Sequence, residues 1–570
     1  MSSTTDNSSG VRVSLFWLAR YVRRHTGTLA CVIALAALCS LLAVAQPYIS
    51  KLIIDEGLIG RRIDLLVRLC CAMVGLAVIG FALGALNRWL YVRVSGRILF
   101  AMREEVYAHL LELPPEFFRK RSVGDLVTRL DGDVAEVQRF STDTLLAFVN
   151  GVLMLVAAAV IMVTLSPALT LIAAGSVPLQ LCVRHWARRS VSESTRAVRE
   201  QTSRVAGFFV ETLGAAKVVQ GAAAEDWEQQ RLGSLNETLL TRLVRQQLVG
   251  YSVGGASGLL SHATTAAVFI AGGLGVVHGS LTVGTLVAFI AYLTRGTGSA
   301  ASLMNLYTAY QRAAVSLRRV RELLDAQPLD RRRGTGRSLE ACAPGHVRFE
   351  AIHFTPAERE EPLFTDLSLD IPAGAKLVLC GDSGVGKSTL IDLLRGFVVP
   401  GKGRVLIDGV ELGEYELGSL RRHIAVIEAE PALFRGSIAD NLRYGHFDAP
   451  QELILDAARR AGVEQFVAHR PEGYEAELGA GGAGLSTGQR QRLAIARALA
   501  GNPVIVVLDE ATSNLDTLAA RSMHELIDRH FGQRTRIVIT HAPQKVPRAD
   551  RVLELRNGSL TVSAAQVVHG

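Results

Sequence analysis

The stretch Gly381-Asp382-Ser383-Gly384-Val385-Gly386-Lys387-Ser388-Thr389 decides how this chain is read. Glycines at 381 and 386, in a G-x-x-x-x-G-K-[ST] spacing, let backbone N–H groups wrap phosphate oxygens. Lys387 neutralises β/γ charge and Ser388 offers a hydroxyl to Mg2+. The apolar run Lys376–Cys380 predicts a strand leading into this loop, and a helix is predicted after it with its N-terminus aimed at the anion. All nine residues are therefore candidate nucleotide ligands. Yet the loop stands behind a long first half that is largely hydrocarbon.

With 570 residues the chain is too long for one core, and 49% hydrophobic against 20% charged places it between a soluble and a wholly membrane-embedded protein. The net charge of +8 is unevenly spread. Residues 345–570 hold 25 Lys+Arg against 29 Asp+Glu, and residues 1–344 hold 36 against 24. The basic excess thus belongs to the apolar half, as expected of loops kept on the cytoplasmic face of a membrane, and argues against nucleic acid as a partner. Of the seven cysteines, five lie in apolar runs and none forms a C-x-x-C pair, so they read as small hydrophobes. The start, "MSSTTDNSSG", has no signal-peptide pattern and is expected to be a disordered tail.

A membrane span needs about 20 mostly apolar residues. Thr28–Tyr48 and Leu69–Leu86 each supply one. Residues 144–183 carry no charge and suffice for two, broken near Ser166-Pro167; residues 246–294 do the same, broken around 278–280. Six spans are expected. The segments 88–139 and 184–245 carry nine and ten Lys/Arg, so they and the N-terminus are expected in the cytosol, as continuations of the spanning helices. Residues 326–344, rich in Pro, Gly and Arg, read as a linker.

From Val347 onward short β-branched runs alternate with helical patterns, the texture of an α/β domain. "VIVVLDEATSNLD" predicts a strand Val504–Leu508 that delivers Asp509 to the Mg2+ side, with Glu510 next in line to polarise an attacking water. "RIVITHAP" predicts a strand ending in His541, placed for a γ-phosphate contact.

Together with "LSTGQRQRLAIARAL" (Leu485–Leu499), this order of motifs resembles the ATP-binding cassette proteins, and six spans fused ahead of one cassette resemble a half-size ABC exporter. "LPPEFFRKRSVGDLVTRLDGDV" (Leu113–Val134) and "ETLGAAKVVQGAAAED" (Glu211–Asp226) are similar to that family's two cytoplasmic loops, which end in coupling helices that dock on the cassettes. The resemblance implies an all-α six-helix transmembrane domain plus a C-terminal α/β P-loop ATP-binding cassette domain. The expected partition is a tail over 1–13, the transmembrane domain over 14–325, the linker, and the nucleotide-binding domain over 345–570. The resemblance further implies ATP and Mg2+ as cofactors, and Ser486, Gly488 and Gln489 acting in trans on ATP held by a second cassette. That cassette would belong to a second copy or to a paralogous half-transporter, in the plasma (bacterial inner) membrane, among its lipids. The expected cargo is a small molecule, peptide or lipid; with no domain ahead of the first span, a peptide's leader would be removed elsewhere.

Three departures from the family pattern stand out. The aromatic that stacks on adenine falls at Pro356, with Phe354 two residues earlier on the same strand face as a substitute; the Mg2+-side glutamine falls at Ala429; and Thr487 replaces a glycine. One half of a heterodimer with a weakened site, a fused importer of an iron chelate and a nucleotide-gated receptor remain alternatives. Within the spans, Arg295 and His262 are the candidate cargo-cavity residues, Arg295 because an ionised side chain at depth is costly unless it faces a cavity, caps carbonyls or snorkels.

Overall fold

Among the described residues six long helices build the first part of the chain: α1 (Thr26–Leu52), α2 (Ile63–Leu111), α4 (Leu145–Leu165), α5 (Pro167–Gly214), α7 (Glu225–Val277) and α8 (Val283–Leu324), with short helices between them that include α3 (Pro115–Arg119) and α6 (Ala216–Gly221). The computed structural model describes residues 17–18, 20–329, 336–356, 359–513 and 515–562. The tail expected over 1–13 lies outside the described residues, as do 330–335 of the expected linker and 563–570 at the end of the chain. Two compact units result, one from the described residues up to 108 with 123–325, the other from 109–122 with those from 326 onward.

In the first unit the break at Ser166-Pro167 has a local cause. Ser166 is extended, its hydroxyl accepts from the Leu169 N–H, and Pro167 takes the first helical position, where its missing N–H costs nothing. Five helical stretches are long and apolar enough to cross a bilayer: Thr26–Ile59, Ile63–Leu111, Val123–Leu165, Pro167–Gly214 and Glu225–Val277. The sixth expected span, the first half of α8, does not meet that measure, because Arg295 and the Gly-, Thr- and Ser-rich run behind it dilute its apolar character. It is nonetheless core: Leu286, Phe289, Tyr292 and Leu293 are buried with Val44, Met162 and Val268. With 53 residues α7 runs for about 80 Å, far beyond the roughly 30 Å of a hydrocarbon layer, so it continues past the membrane.

The seam between α1 and α8 is held by polar groups. Pro47, inside α1, lacks the N–H that would serve the Ala43 carbonyl four residues back. The Arg295 guanidinium donates to that carbonyl and, at 2.8 Å, to Gln46 Oε1. One turn earlier the Tyr292 hydroxyl donates to Val44 O at 2.6 Å. At the start of α8 the Asp55 carboxylate accepts from the Thr282 hydroxyl at 2.6 Å and from the Gly284 N–H at 2.8 Å. Position 284 must be glycine for this approach, since a Cβ there would sit 2.6 Å from the Lys51 carbonyl.

The second unit is an α/β domain with strands β1 (Val347–Phe354), β2 (Phe364–Ile371), β3 (Lys376–Cys380), β4 (Lys402–Ile407), β5 (Ile424–Glu428), β6 (Ile505–Asp509), β7 (Thr535–Ile539), β8 (Arg551–Arg556) and β9 (Ser559–Val562). One antiparallel sheet runs β2-β1-β4 with the short strand Val410–Glu411 at its edge. A second, larger sheet runs β9-β8-β3-β7-β6-β5, parallel except for β9. Every residue of β3 and β7 is buried, as befits strands covered on both faces. One face packs Val378, Val506, Leu508 and Val538 with the Leu493–Leu499 stretch; the other packs Leu377, Leu379, Ile505, Val507 and Ile537 with the helix after the phosphate loop. Part of the segment read as linker is packed here: Leu339 is buried and the Arg337 N–H donates to Glu414 O at 2.8 Å.

Candidate functional site

Three neighbouring strands, β3, β7 and β6, point their C-terminal ends at one place, the position where ligands sit in open parallel sheets. Strand β3 passes straight into the 381–389 loop, and α9 (Lys387–Leu394) follows it. Gly381, Gly384 and Gly386 all have positive φ, and at Gly386 a Cβ would come within 2.8 Å of the Phe364 ring. Asp382, Ser383 and Gly384 are exposed at the mouth, while Lys387 is buried with its Nζ donating to the Gly381 and Asp382 carbonyls, both at 2.8 Å. Its charge is therefore already centred on the loop that would receive the phosphates.

Asp509 ends β6, so the predicted strand is shifted by one residue and includes it. Burial pushes the Asp509 carboxyl above its ordinary range and the Glu510 and Glu428 charges push the same way, while a hydrogen bond from Ser388 and the Lys387 charge pull it down. A carboxylate with a hydroxyl beside it and two further carboxylates acting on it offers the hard oxygen set that Mg2+ takes beside phosphates, so these residues fit the ion.

Glu510 has φ +51°, a left-handed conformation that costs a non-glycine residue of order 1 kcal/mol or more. Its N–H donates to Ile539 O at 3.0 Å, and its carboxylate meets His541 Nε2 at 2.7 Å with both side chains partly open to solvent. His541 lies two residues beyond the end of β7 rather than in the strand, freed from the sheet to reach Glu510. Ala429 follows β5 and its N–H donates to Asp509 O at 3.1 Å, so only its backbone takes part here.

The signature stretch opens α10 (Thr487–Ala500) with a reciprocal cap: the Ser486 hydroxyl accepts from the Gln489 N–H at 3.3 Å and the Gln489 side chain accepts from the Ser486 N–H at 3.0 Å. Gly488 sits in the first turn with open space where a Cβ would go. Among the described residues no hydrogen bond joins this turn to the 381–389 loop.

Two residues that the sequence reading passed over belong to the same neighbourhood. Arg359 Nη2 donates to the Gly384 carbonyl at 3.4 Å. Gln491, 2% exposed, donates to the Ala511 carbonyl at 2.6 Å and reaches the Ala429 carbonyl at 3.5 Å. Gln491 had a signal in the quoted signature, a polar residue on the apolar face of α10; Arg359 had none. Phe354, offered as the adenine stack, is half-buried and packs against the core cluster that includes Phe364. One edge of its ring packs there because the register slip between Ile352 and Phe354 brings it opposite Phe364.

In the membrane helices Arg295 is held by α1, as described, and His262 lies on an exposed face of α7. With its guanidinium on Ala43 O, Arg295 serves a carbonyl that would otherwise be unpaired, a loss of about 1–3 kcal/mol. Arg295→Leu is expected to lower the thermal unfolding temperature in detergent, and Arg295→Gln to lower it less. An unchanged temperature combined with lost cargo-stimulated ATP hydrolysis would restore the cavity role.

The chain matches the ABC transporter transmembrane region over residues 29–298 and the ABC transporter model over 364–513. It is 32% identical to the ATP-dependent lipid A-core flippase of Chromohalobacter salexigens over 82% of this chain and 81% of that protein. It is 31% identical to the fatty acid ABC transporter ATP-binding/permease protein of Mycobacterium bovis over 85% of this chain and 77% of that one. Among solved structures, a bacterial Atm1-family ABC exporter with ATP bound aligns at a TM-score of 0.76 and 25% identity, covering 95% of this chain and 94% of that one.

Proposed function

The chain belongs to the ABC transporter family, and on that premise we propose how this ATP-driven membrane exporter divides the work among its residues and what it carries. The observation that supports the assignment is the convergence of the glycine loop, Ser388–Asp509 and Glu510–His541 on the ends of adjacent strands, with a capped signature turn exposed and standing apart. We assign the phosphates of ATP to residues 381–389 and Mg2+ to Ser388 and Asp509; when bound, the ion draws charge from the β- and γ-phosphates. Glu510 orients the attacking water and takes up its proton, and His541 fixes the Glu510 carboxylate and faces the γ-phosphate. Ser486, Gly488 and Gln489 complete the cage around ATP on a second cassette, so the working unit is a dimer. Its tail, transmembrane domain, linker and nucleotide-binding domain follow the partition 1–13, 14–325, 326–344 and 345–570. The Lys/Arg-rich loops support a topology with the N-terminus and cassette in the cytosol, beneath the plasma membrane.

With Pro356 unable to stack and Phe354 packed against the core, Arg359 is the group we assign to the nucleotide beside the loop, where a guanidinium plane can cover a base. Arg359→Ala is expected to raise the KM for ATP about three- to thirtyfold, the equivalent of a cation–π contact, with kcat nearly unchanged. Loss of kcat at constant KM would assign Arg359 elsewhere.

For the cargo, a cavity of about 210 Å³ between α4, α5 and α8 supports an amphiphile with a slender apolar part. Leu155, Met162, Val177 and Met304 line it, with Gln180 and Thr297 as polar groups. The lipid A-core and fatty acid names carried by two relatives support the same class. Single-chain amphiphiles are expected to stimulate ATP hydrolysis in nanodiscs and to accumulate in inside-out vesicles with ATP. Stimulation by hydrophilic peptides alone would overturn this cargo class. Pairing with a paralogous half is the second reading, favoured by the altered positions Pro356 and Ala429.

A further inference from the structure

Glu510 holds a strained conformation, and a strained residue persists only where its surroundings hold it. Three contacts do so here. The Glu510 N–H is bound by Ile539 O at 3.0 Å, the Glu510 carbonyl accepts from the Ser513 N–H at 2.9 Å, and the next peptide is bound through Ala511 O by the Gln491 side chain at 2.6 Å. Of these three contacts to the backbone, only the last comes from outside strands β6 and β7 and the loop after β6; the His541 contact to the Glu510 carboxylate is made by its side chain. Gln491 sits in the second turn of α10, the helix whose first turn is the capped Ser486–Gln489 signature. Its amide also reaches the Ala429 carbonyl at 3.5 Å, and the Ala429 N–H is bonded to Asp509 O. One buried amide thus spans the loop after β5, the loop after β6 and the signature helix. Among the described residues its Oε1 has no hydrogen-bond partner, so the contacts of this amide run through its nitrogen.

We propose that Gln491 is the positioning residue through which the signature helix of each cassette holds the Glu510 of that same cassette. ATP on the partner's loop, by docking on the Ser486 turn, then sets the geometry of this chain's own water-orienting carboxylate. The link rests on the reading that signature and glycine loop meet across two cassettes. It makes turnover at one site respond to occupancy of the other, a coupling carried by a rigid helix and two hydrogen bonds.

The test uses the full chain in lipid nanodiscs, with ATP turnover measured against ATP concentration and nucleotide binding measured separately. Gln491→Met keeps the length of the side chain and removes both donors. Turnover is expected to fall at least tenfold, with nucleotide affinity within twofold of wild type and the Hill coefficient reduced to one. Gln491→Glu, which sets oxygens against the two carbonyls, is expected to do the same and serves if the methionine variant does not fold. Wild-type turnover and cooperativity in either folded variant would overturn the proposal, as would equal losses in affinity and turnover. Ser486→Arg separates the two layers. If it abolishes turnover while the Gln491 variants do not, the shared-site reading stands and Gln491 falls; if it leaves turnover intact, the shared-site reading falls.

Discussion

ATP hydrolysis by the chain purified alone in lipid nanodiscs is expected to fall by about 10²–10⁴-fold on Glu510→Gln, the range lost when a positioned general base is removed. Nucleotide binding is expected to persist, because the phosphates are assigned to the 381–389 loop and Lys387 is already centred on it. The amide in the variant can still bond His541 but cannot accept a proton. The experiment also decides what pairs with this chain. Turnover well above the variant's means that two copies suffice and that the losses at Pro356 and Ala429 are compensated within them, Arg359 being the compensating group on the base side. Silence from a folded, ATP-binding wild-type dimer means that the second cassette must come from a paralogous half. A variant that hydrolyses at the wild-type rate would remove Glu510 from the role assigned to it.

Much of this architecture can be read from the chain because its strongest signals are local. A long apolar helix needs no partner to declare itself, and Ser166-Pro167 marks a break because the cap and the missing N–H act within one turn. The glycine loop is legible for the same reason, its three positive-φ glycines lying within six residues of one another. The sixth helix is read from its uncharged run, although one arginine and a run of small residues lower its average hydropathy; its Phe289 and Tyr292 are wholly buried. Carbonyl capping by Arg295 is among the readings its depth allows, but which carbonyl it caps is illegible, because that partner is created by Pro47, far away in sequence, on another helix. The packing of Phe354 against Phe364 is not legible from alternation, which assumes an unbroken register, because β1 slips twice before reaching it. Arg359 and Gln491 are meaningful only through carbonyls that the fold brings to them. In each case the missing information is a long-range backbone contact, which residue type does not encode.

A second large effect lies beneath the nucleotide site, in the charges that anchor β3. Lys376 is 1% exposed, yet its ammonium is held by Asp528 at 2.7 Å and by the Pro547 carbonyl at 2.6 Å; Asp528 also takes Arg536 at 2.9 Å. Burial pulls the lysine below its ordinary range and Asp528 opposes that pull. Breaking such a pair leaves an uncompensated buried cation, so Asp528→Asn is expected to cost about 3–5 kcal/mol and to appear as a lower unfolding temperature of the full chain. His524, also buried, has neither ring nitrogen hydrogen-bonded among the described residues, and burial together with the Lys376 charge pushes it down to about 4. A histidine depressed in the fold binds its proton more readily once unfolded. Its stabilising contribution is therefore whole above pH 6.5 and is lost as pH falls towards 4, a change of about 3 kcal/mol over that window. Unfolding temperatures measured between pH 7.5 and pH 4.5 are expected to drop accordingly, and His524→Leu to flatten that part of the profile. A profile unchanged by the substitution would mean that other groups carry the acid sensitivity.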